Sequence, residues 1–141
     1  MEMIMKRAVV AFIVGLLTWG VVVSLIDRLL RLSIAGYAAA EPTLAFTPGM
    51  MWARLLMAAV ALLIAGAVVG AIASASKVTP WAVGLVLVAL FIPVHVRLWH
   101  TFPVWYHLTF LVPLAPLIAV GAWLKTLSSK RGRPMQAVAH T

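Results

Sequence analysis

The sequence predicts an all-α integral membrane protein, a four-helix transmembrane bundle with both termini on the cytoplasmic side. Hydrophobic residues make up 65% of the 141 residues and charged residues only 10%, which is too little charge to cover a soluble domain of this size. Four long segments carry no charged residue and a single histidine, His107: residues 8–26, 55–76, 81–94 and 104–124. Apolar runs of this kind are typical of helices that cross a bilayer.

Each of the four segments is justified as a span by its length. At 1.5 Å per residue, the first forms a helix of roughly 28 Å and the fourth one of roughly 31 Å, enough to cross the hydrocarbon core. The second crosses with some tilt. The third reaches only about 21 Å, so it needs residues 95–99 to complete a crossing. We therefore expect one domain, residues 1–124, with spans at about 8–30, 52–76, 80–99 and 104–124.

The distribution of lysine and arginine predicts the orientation. With a cytoplasmic N-terminus, seven of these residues lie on the cytoplasmic side and four on the outer side, as the positive-inside rule favours. The outer four are Arg28, Arg31, Arg54 and Arg97. Residues 125–141 are basic and polar, and we expect them to form an unstructured cytoplasmic tail.

Two features inside the spans bear on helix packing. Gly66, Gly70 and Ser74 are spaced by four and leave one helix face almost without side chains, which favours close packing against the first or fourth span, or dimerisation. Pro113 and Pro116 lie inside the fourth segment. Each removes a backbone hydrogen bond, so we expect a kink near the middle of that span.

The ionisable residues gather at the outer ends of the spans. Asp27 and Arg31 are an i,i+4 pair with the acid first, the favourable order on a helix. The candidate contacts for a ligand or partner are Arg54, Arg97, His100 and His107, and their candidate charge partners are Asp27, Arg31 and Glu41.

This outer cluster admits four interpretations. It could bind an anionic group such as a lipid headgroup, hold haem b between His95 and His107, relay protons in a small transporter, or pair with itself as a structural cap. The haem interpretation is the only one that would make these histidines metal ligands.

Other function classes are disfavoured. The chain has no cysteine and three acidic residues, which excludes thiolate chemistry and leaves Asp27 with Glu41 as the one pair for carboxylate catalysis. We expect no enzyme activity, no metal and no resident cofactor. The formal charge of +8 flanks apolar spans rather than forming a soluble basic face, so we expect no nucleic-acid partner.

The stretch FPVWYHLTF at residues 102–110 follows the segments Pro93-Val94-His95 and Arg97-Leu98-Trp99. With Tyr37-Ala38-Ala39-Ala40 and Arg54-Leu55, it resembles small four-span inner-membrane proteins of bacteria. The resemblance would cover most of the chain and implies the same fold and orientation. That group has no assigned activity, so it implies no mechanism.

We therefore expect a multi-pass protein of the bacterial inner membrane with a non-catalytic accessory or structural role. Its outer rim, rich in arginine and histidine, would contact a membrane-protein partner, a second copy or anionic lipid. The alternatives are a small-solute or proton-coupled transporter and, third, a haem-binding membrane anchor.

Overall fold

The computed structural model describes residues 1–131, and every regular element in that range is a helix. The helices are α1 (Glu2–Ser33), α2 (Tyr37–Ala40), α3 (Pro48–Ile72), α4 (Val78–Arg97), α5 (Val104–Leu111) and α6 (Leu114–Arg131). Four units are long and apolar enough to cross a membrane: α1, α3, α4, and α5 with α6. The prediction of an all-α fold with four such helices is confirmed.

The helix ends differ from the predicted spans in two places. α3 ends at Ile72, before the predicted limit at residue 76, because the chain turns there and Ser76 Oγ accepts a hydrogen bond from the Thr79 backbone N–H at 3.1 Å. α6 continues to Arg131, so residues 125–131, expected in an unstructured tail, are helical. Residues 132–141 of that expected tail lie outside the described residues.

The four long helices alternate in direction. α1 and α6 both pack against α3 and α4, and the side chains at the centre are fully buried, among them Leu62, Leu87 and Ile118. One end of the bundle is called here the α2 end. It holds α2, the last turns of α1 and α4, and the first turns of α3 and α5. The start of α1 and the end of α6 lie together at the opposite end, because Arg7 and Lys130 both lie beside the turn after α3.

Small residues let α3 and α6 approach closely. A Cβ atom at Gly66 would fall on the backbone of Ile118, and one at Gly70 would lie 2.6 Å from the backbone oxygen of Ala122. The predicted small-residue face is therefore occupied by α6 of the same chain. Ser74 is exposed in the turn after α3 and is not part of this surface.

The fourth span is broken at Val112 and Pro113, where α5 ends and α6 begins. Pro113 has no N–H for the carbonyl of Thr109, and Pro116 has none for that of Val112. The helix is thus interrupted where the kink was predicted. It lets α5 pack against α3 and α4 at the α2 end while α6 contributes to the central core.

Candidate functional site

A tight turn after α1 places the short helix α2 against the last turns of α1. The chain leaves α1 at Ser33 and reverses at Gly36, whose φ of 78° lies in the left-handed region that glycine adopts most easily. Tyr37 follows at once and is fully buried. Thr47 then starts α3, since its Oγ1 accepts a hydrogen bond from the Met50 N–H at 3.3 Å and Pro48 follows at the first helical position.

These turns assemble a group of paired charges, called here the Arg54 network: Asp27, Arg31, Tyr37, Glu41 and Arg54. Arg31 Nε lies 3.0 Å from Asp27 Oδ2 and 2.8 Å from Glu41 Oε2. The first distance confirms the i,i+4 pair predicted on α1. The second joins α1 to the segment after α2, so Arg31 connects both carboxylates.

Arg54 approaches the same carboxylates from α3. Its Nη1 donates a hydrogen bond to the Tyr37 hydroxyl at 2.8 Å and lies 3.9 Å from an oxygen of Asp27 and from one of Glu41. The Tyr37 hydroxyl in turn donates to Asp27 Oδ1 at 3.3 Å. The guanidinium carbon lies 4.6 Å from the centre of the Phe46 ring, a cation–π contact.

Tyr37 links the two charged partners in this network. Burial raises the pKa of its hydroxyl above 10.0, although the nearby Arg54 charge opposes that shift. Tyr37 therefore stays protonated at neutral pH and retains the hydrogen that it donates to Asp27.

A second polar feature of the α2 end is a pair of histidines in contact. Nδ1 of His95 on α4 lies 2.8 Å from Nδ1 of His107 on α5. His107 is fully buried and His95 is nearly so. One Nδ1 donates and the other accepts, so the contact holds a single hydrogen between the two rings.

Aromatic rings enclose this histidine pair. The Trp99 ring stacks on His107 with centroids 4.9 Å apart, and Phe110 lies 4.6 Å from His95. Nε2 of His107 is buried and has no hydrogen-bond partner within residues 1–131. One nitrogen of the pair is thus left without a hydrogen bond in an apolar setting, which costs free energy. A buried polar group of this kind inside a membrane helix is a candidate functional residue.

The geometry does not fit haem between these two histidines. Two axial nitrogens stand about 4 Å apart when each metal–nitrogen bond is about 2 Å, which puts the ring centroids about 6 Å apart whichever nitrogen binds. Here the centroids are 5.0 Å apart and the two Nδ1 atoms are in direct contact at 2.8 Å. Within residues 1–131, no three histidine or acidic side chains are grouped to hold a metal ion.

The structure divides the predicted contact residues instead of bringing them into one site. Arg54 lies inside the ion-pair network, and Arg97 and His100 are exposed. His107 is fully buried, which contradicts its predicted place on a contact rim. Its ring packs against Trp99 and contacts His95. Asp27, Arg31 and Glu41 do act as charge partners of arginine.

Sequence reasoning missed Tyr37 and the aromatic surroundings of the histidines. The sequence contains two sets of ring side chains spaced by four residues. The first is Phe91, His95 and Trp99, and the second is Phe102, Tyr106 and Phe110. Residues four apart share a helix face, so these two sets could have predicted an aromatic contact between α4 and α5. Tyr37 had no comparable pattern.

Comparison with protein families, curated proteins and solved structures finds no match for this chain. The fold and these contacts define the class to which it belongs: a multi-pass helical membrane protein with an ion-paired cap at one end of its bundle.

Proposed function

We propose that this protein is a non-catalytic accessory subunit of the bacterial inner membrane, which binds a protein partner through exposed basic and aromatic residues at the α2 end. The proposal rests on the observation that some charged residues at that end are paired with one another while others are exposed and unpaired. The carboxylates of Asp27 and Glu41 are engaged by Arg31 and Arg54. Arg97 is exposed and forms no ion pair with any residue in 1–131.

Exposed tryptophans at the same end of the bundle support a partner surface. Trp52 and Trp105 stack with centroids 5.3 Å apart, yet 53% of Trp52 and 37% of Trp105 remain exposed. Arg97, Trp99 and His100 are exposed at the same end, and these five residues are called here the α4–α5 rim. Tryptophan and arginine dominate the binding energy of protein interfaces, and the unpaired positive charge favours an acidic surface on the partner.

A non-catalytic role agrees with the state of the acidic groups. Neither carboxylate at the α2 end is free to act as a general base, since each accepts from Arg31 at 3.0 Å or less. These ion pairs connect the segment after α2 to α1 and α3. The positive-inside bias supports cytoplasmic termini, which would place the α4–α5 rim on the outer face of the membrane.

Replacement of both Arg97 and His100 by alanine tests the partner surface. Native mass spectrometry of protein released gently from its own membrane should show a partner of defined mass on the wild type. The double variant should hold that partner about tenfold more weakly, as loss of an interface hot spot does. Lys125→Ala, exposed at the opposite end of the bundle, is the matched control and should bind normally. A wild-type protein released without any partner protein contradicts the proposal.

The histidine pair favours a second candidate function, proton-coupled transport. Two imidazoles that share a proton at 2.8 Å inside a bundle form a natural proton relay. Trp99 and Phe110 limit the access of water to the pair, so transport would require these rings to move.

Proton flux into liposomes measures this second candidate directly. With a pH-sensitive dye inside, a transporter should acidify its vesicles faster than empty liposomes do. The His95→Gln variant should lose most of that flux, because an amide cannot exchange the proton. Arg97→Gln, which removes a charge at the same end without touching the pair, serves as the control. Flux equal to that of empty liposomes rules this candidate out.

A further inference from the structure

A groove lies at the end of the bundle opposite the α2 end, between α4 and α6. Its volume is about 660 Å³, and its walls include Lys77, Trp81, Ala119, Trp123 and Lys130. This groove shares no residue with the Arg54 network, the histidine pair or the α4–α5 rim. Whatever occupies it is therefore independent of the function proposed for those residues.

Small side chains keep the groove open. Ala119 and Ala122 on α6 and Gly70 on α3 line it with little bulk, in the region where α6 packs closely on α3. The turn between α3 and α4 ends at Lys77, so the first turn of α4 opens onto the groove. The Thr79 N–H already donates to Ser76 Oγ and Pro80 has no N–H, so the helix dipole rather than free backbone donors favours negative charge there.

The polar groups on the groove walls suit an anion. The ammonium groups of Lys77 and Lys130 lie at exposed positions on opposite walls. Ser76 Oγ accepts from the Thr79 N–H at 3.1 Å and contacts Thr79 Oγ1 at 2.7 Å, which leaves the serine hydrogen for an outside acceptor. No carboxylate lies among the lining residues, and the one acid at this end, Glu2, pairs with Lys6 at 2.7 Å.

The apolar part of the groove suits acyl chains, and its tryptophans indicate the depth at which the lipid headgroups begin. Trp81 and Trp123 border it with 47% and 58% of their surfaces exposed, and tryptophan is enriched where the hydrocarbon core meets the headgroup layer. Val120 and Pro116 extend the wall towards the start of α6. The lysines thus lie beside an apolar surface, as the two parts of a phospholipid require.

We infer that this groove binds an anionic membrane phospholipid, with its phosphate between Lys77 and Lys130 and its acyl chains against α6. Basic pockets between membrane helices bind lipid phosphates through such paired charges. A zwitterionic lipid fits the apolar wall equally well but adds an ammonium group beside the two lysines. The groove should therefore prefer phosphatidylglycerol over phosphatidylcholine.

The double variant Lys77→Gln/Lys130→Gln tests the charges. Native mass spectrometry of the full chain, titrated with phosphatidylglycerol, should show retained lipid on the wild type. Each basic residue near an anionic lipid contributes roughly fivefold to binding, so the double variant should bind roughly 25-fold more weakly. Lys125→Gln removes a charge on the same helix outside the groove and should change binding less than twofold. Equal losses in the control and the double variant would overturn the inference.

A second variant tests the shape with all charges kept. Ala119→Leu fills the groove from α6, and because Ala119 is only partly buried, the thermal stability of the protein should stay close to that of the wild type. Retention of phosphatidylglycerol should fall by at least tenfold. Unchanged retention in this variant would show that lipid binds elsewhere and would overturn the inference. Equal retention of phosphatidylcholine by the wild type would show that the lysines do not select the headgroup, and would also overturn it.

Discussion

Replacing Gly66 by leucine is expected to destroy the contact between α3 and α6 and to lower stability more than any other single change considered for this protein. A Cβ atom at this position would lie 2.9 Å from the carbonyl carbon of Ile118 and 3.0 Å from its Cα. These are backbone atoms, so no side-chain rotation relieves the clash. Overpacking a core costs about 1–3 kcal/mol when side chains can adjust, and we expect about 3 kcal/mol or more here.

The matched control is Gly20, which also lies within a long helix of this chain. A Cβ atom at Gly20 would meet nothing within 4 Å, so Gly20→Ala and Gly20→Leu should leave the midpoint of unfolding in a detergent titration almost unchanged. Gly66→Ala should already destabilise the protein, since its Cβ atom alone causes the clash. If Gly66→Leu leaves the monomer stable and instead breaks a dimer, the glycine face serves association between chains and the packing described here is wrong.

The four helices and the kink could be predicted because each depends on local chemistry. Lipid requires every backbone N–H and C=O to be satisfied within a span, so an apolar run of sufficient length has one solution. Pro113 removes the backbone hydrogen bond to Thr109 at the break, whereas Pro93 lies within the unbroken α4, so proline alone does not decide where a helix is interrupted. The pair of Asp27 and Arg31 likewise follows from helical spacing alone. None of these features depends on how the spans are arranged around one another.

The pairing of Arg54 with Asp27 and Glu41 could not be predicted in the same way, because it depends on the path of a loop. The left-handed turn at Gly36 directs Tyr37 under α1, and only then can α3 place Arg54 beside the carboxylates. The burial of His107 depends in turn on how α5 packs after the break at Pro113. Sequence reasoning identified the charged residues of the α2 end correctly but assigned both Arg54 and His107 to an open rim.

Replacement of Arg54 by methionine should have the second largest effect, a loss of about 2 to 3 kcal/mol in the free energy of unfolding. Methionine keeps much of the apolar stem but removes the donor to Tyr37 and the charge that lies 3.9 Å from Asp27 and from Glu41. Removing one partner from a buried ion pair costs about 3–5 kcal/mol. The carboxylate side chains here are 20% exposed, so water recovers part of that cost.

A double-mutant cycle separates the network from the loss of one side chain. In the background of Asp27→Asn, one of the two carboxylates is already neutral, so Arg54→Met should cost about 1 kcal/mol less than in the wild type. Arg97→Met is the control, because Arg97 is exposed and unpaired within residues 1–131, and it should change stability by less than about 0.5 kcal/mol. Equal costs for the two arginine variants would contradict the cap.

Tyr37 provides a readout inside the network that a general loss of packing would not produce. The Arg54 charge lowers the pKa of the Tyr37 hydroxyl, while burial raises it, so Arg54→Met should move that pKa further upward. The chain has two tyrosines, and Tyr106→Phe, introduced both with and without Arg54→Met because Tyr106 also neighbours Arg54, leaves Tyr37 as the one that titrates. An alkaline absorbance titration should then show ionisation at higher pH in the Arg54→Met protein. A downward shift would mean that Tyr37 has become exposed and that the α2 end has opened, whereas an upward shift would show that the hydroxyl stays buried and has lost its cation.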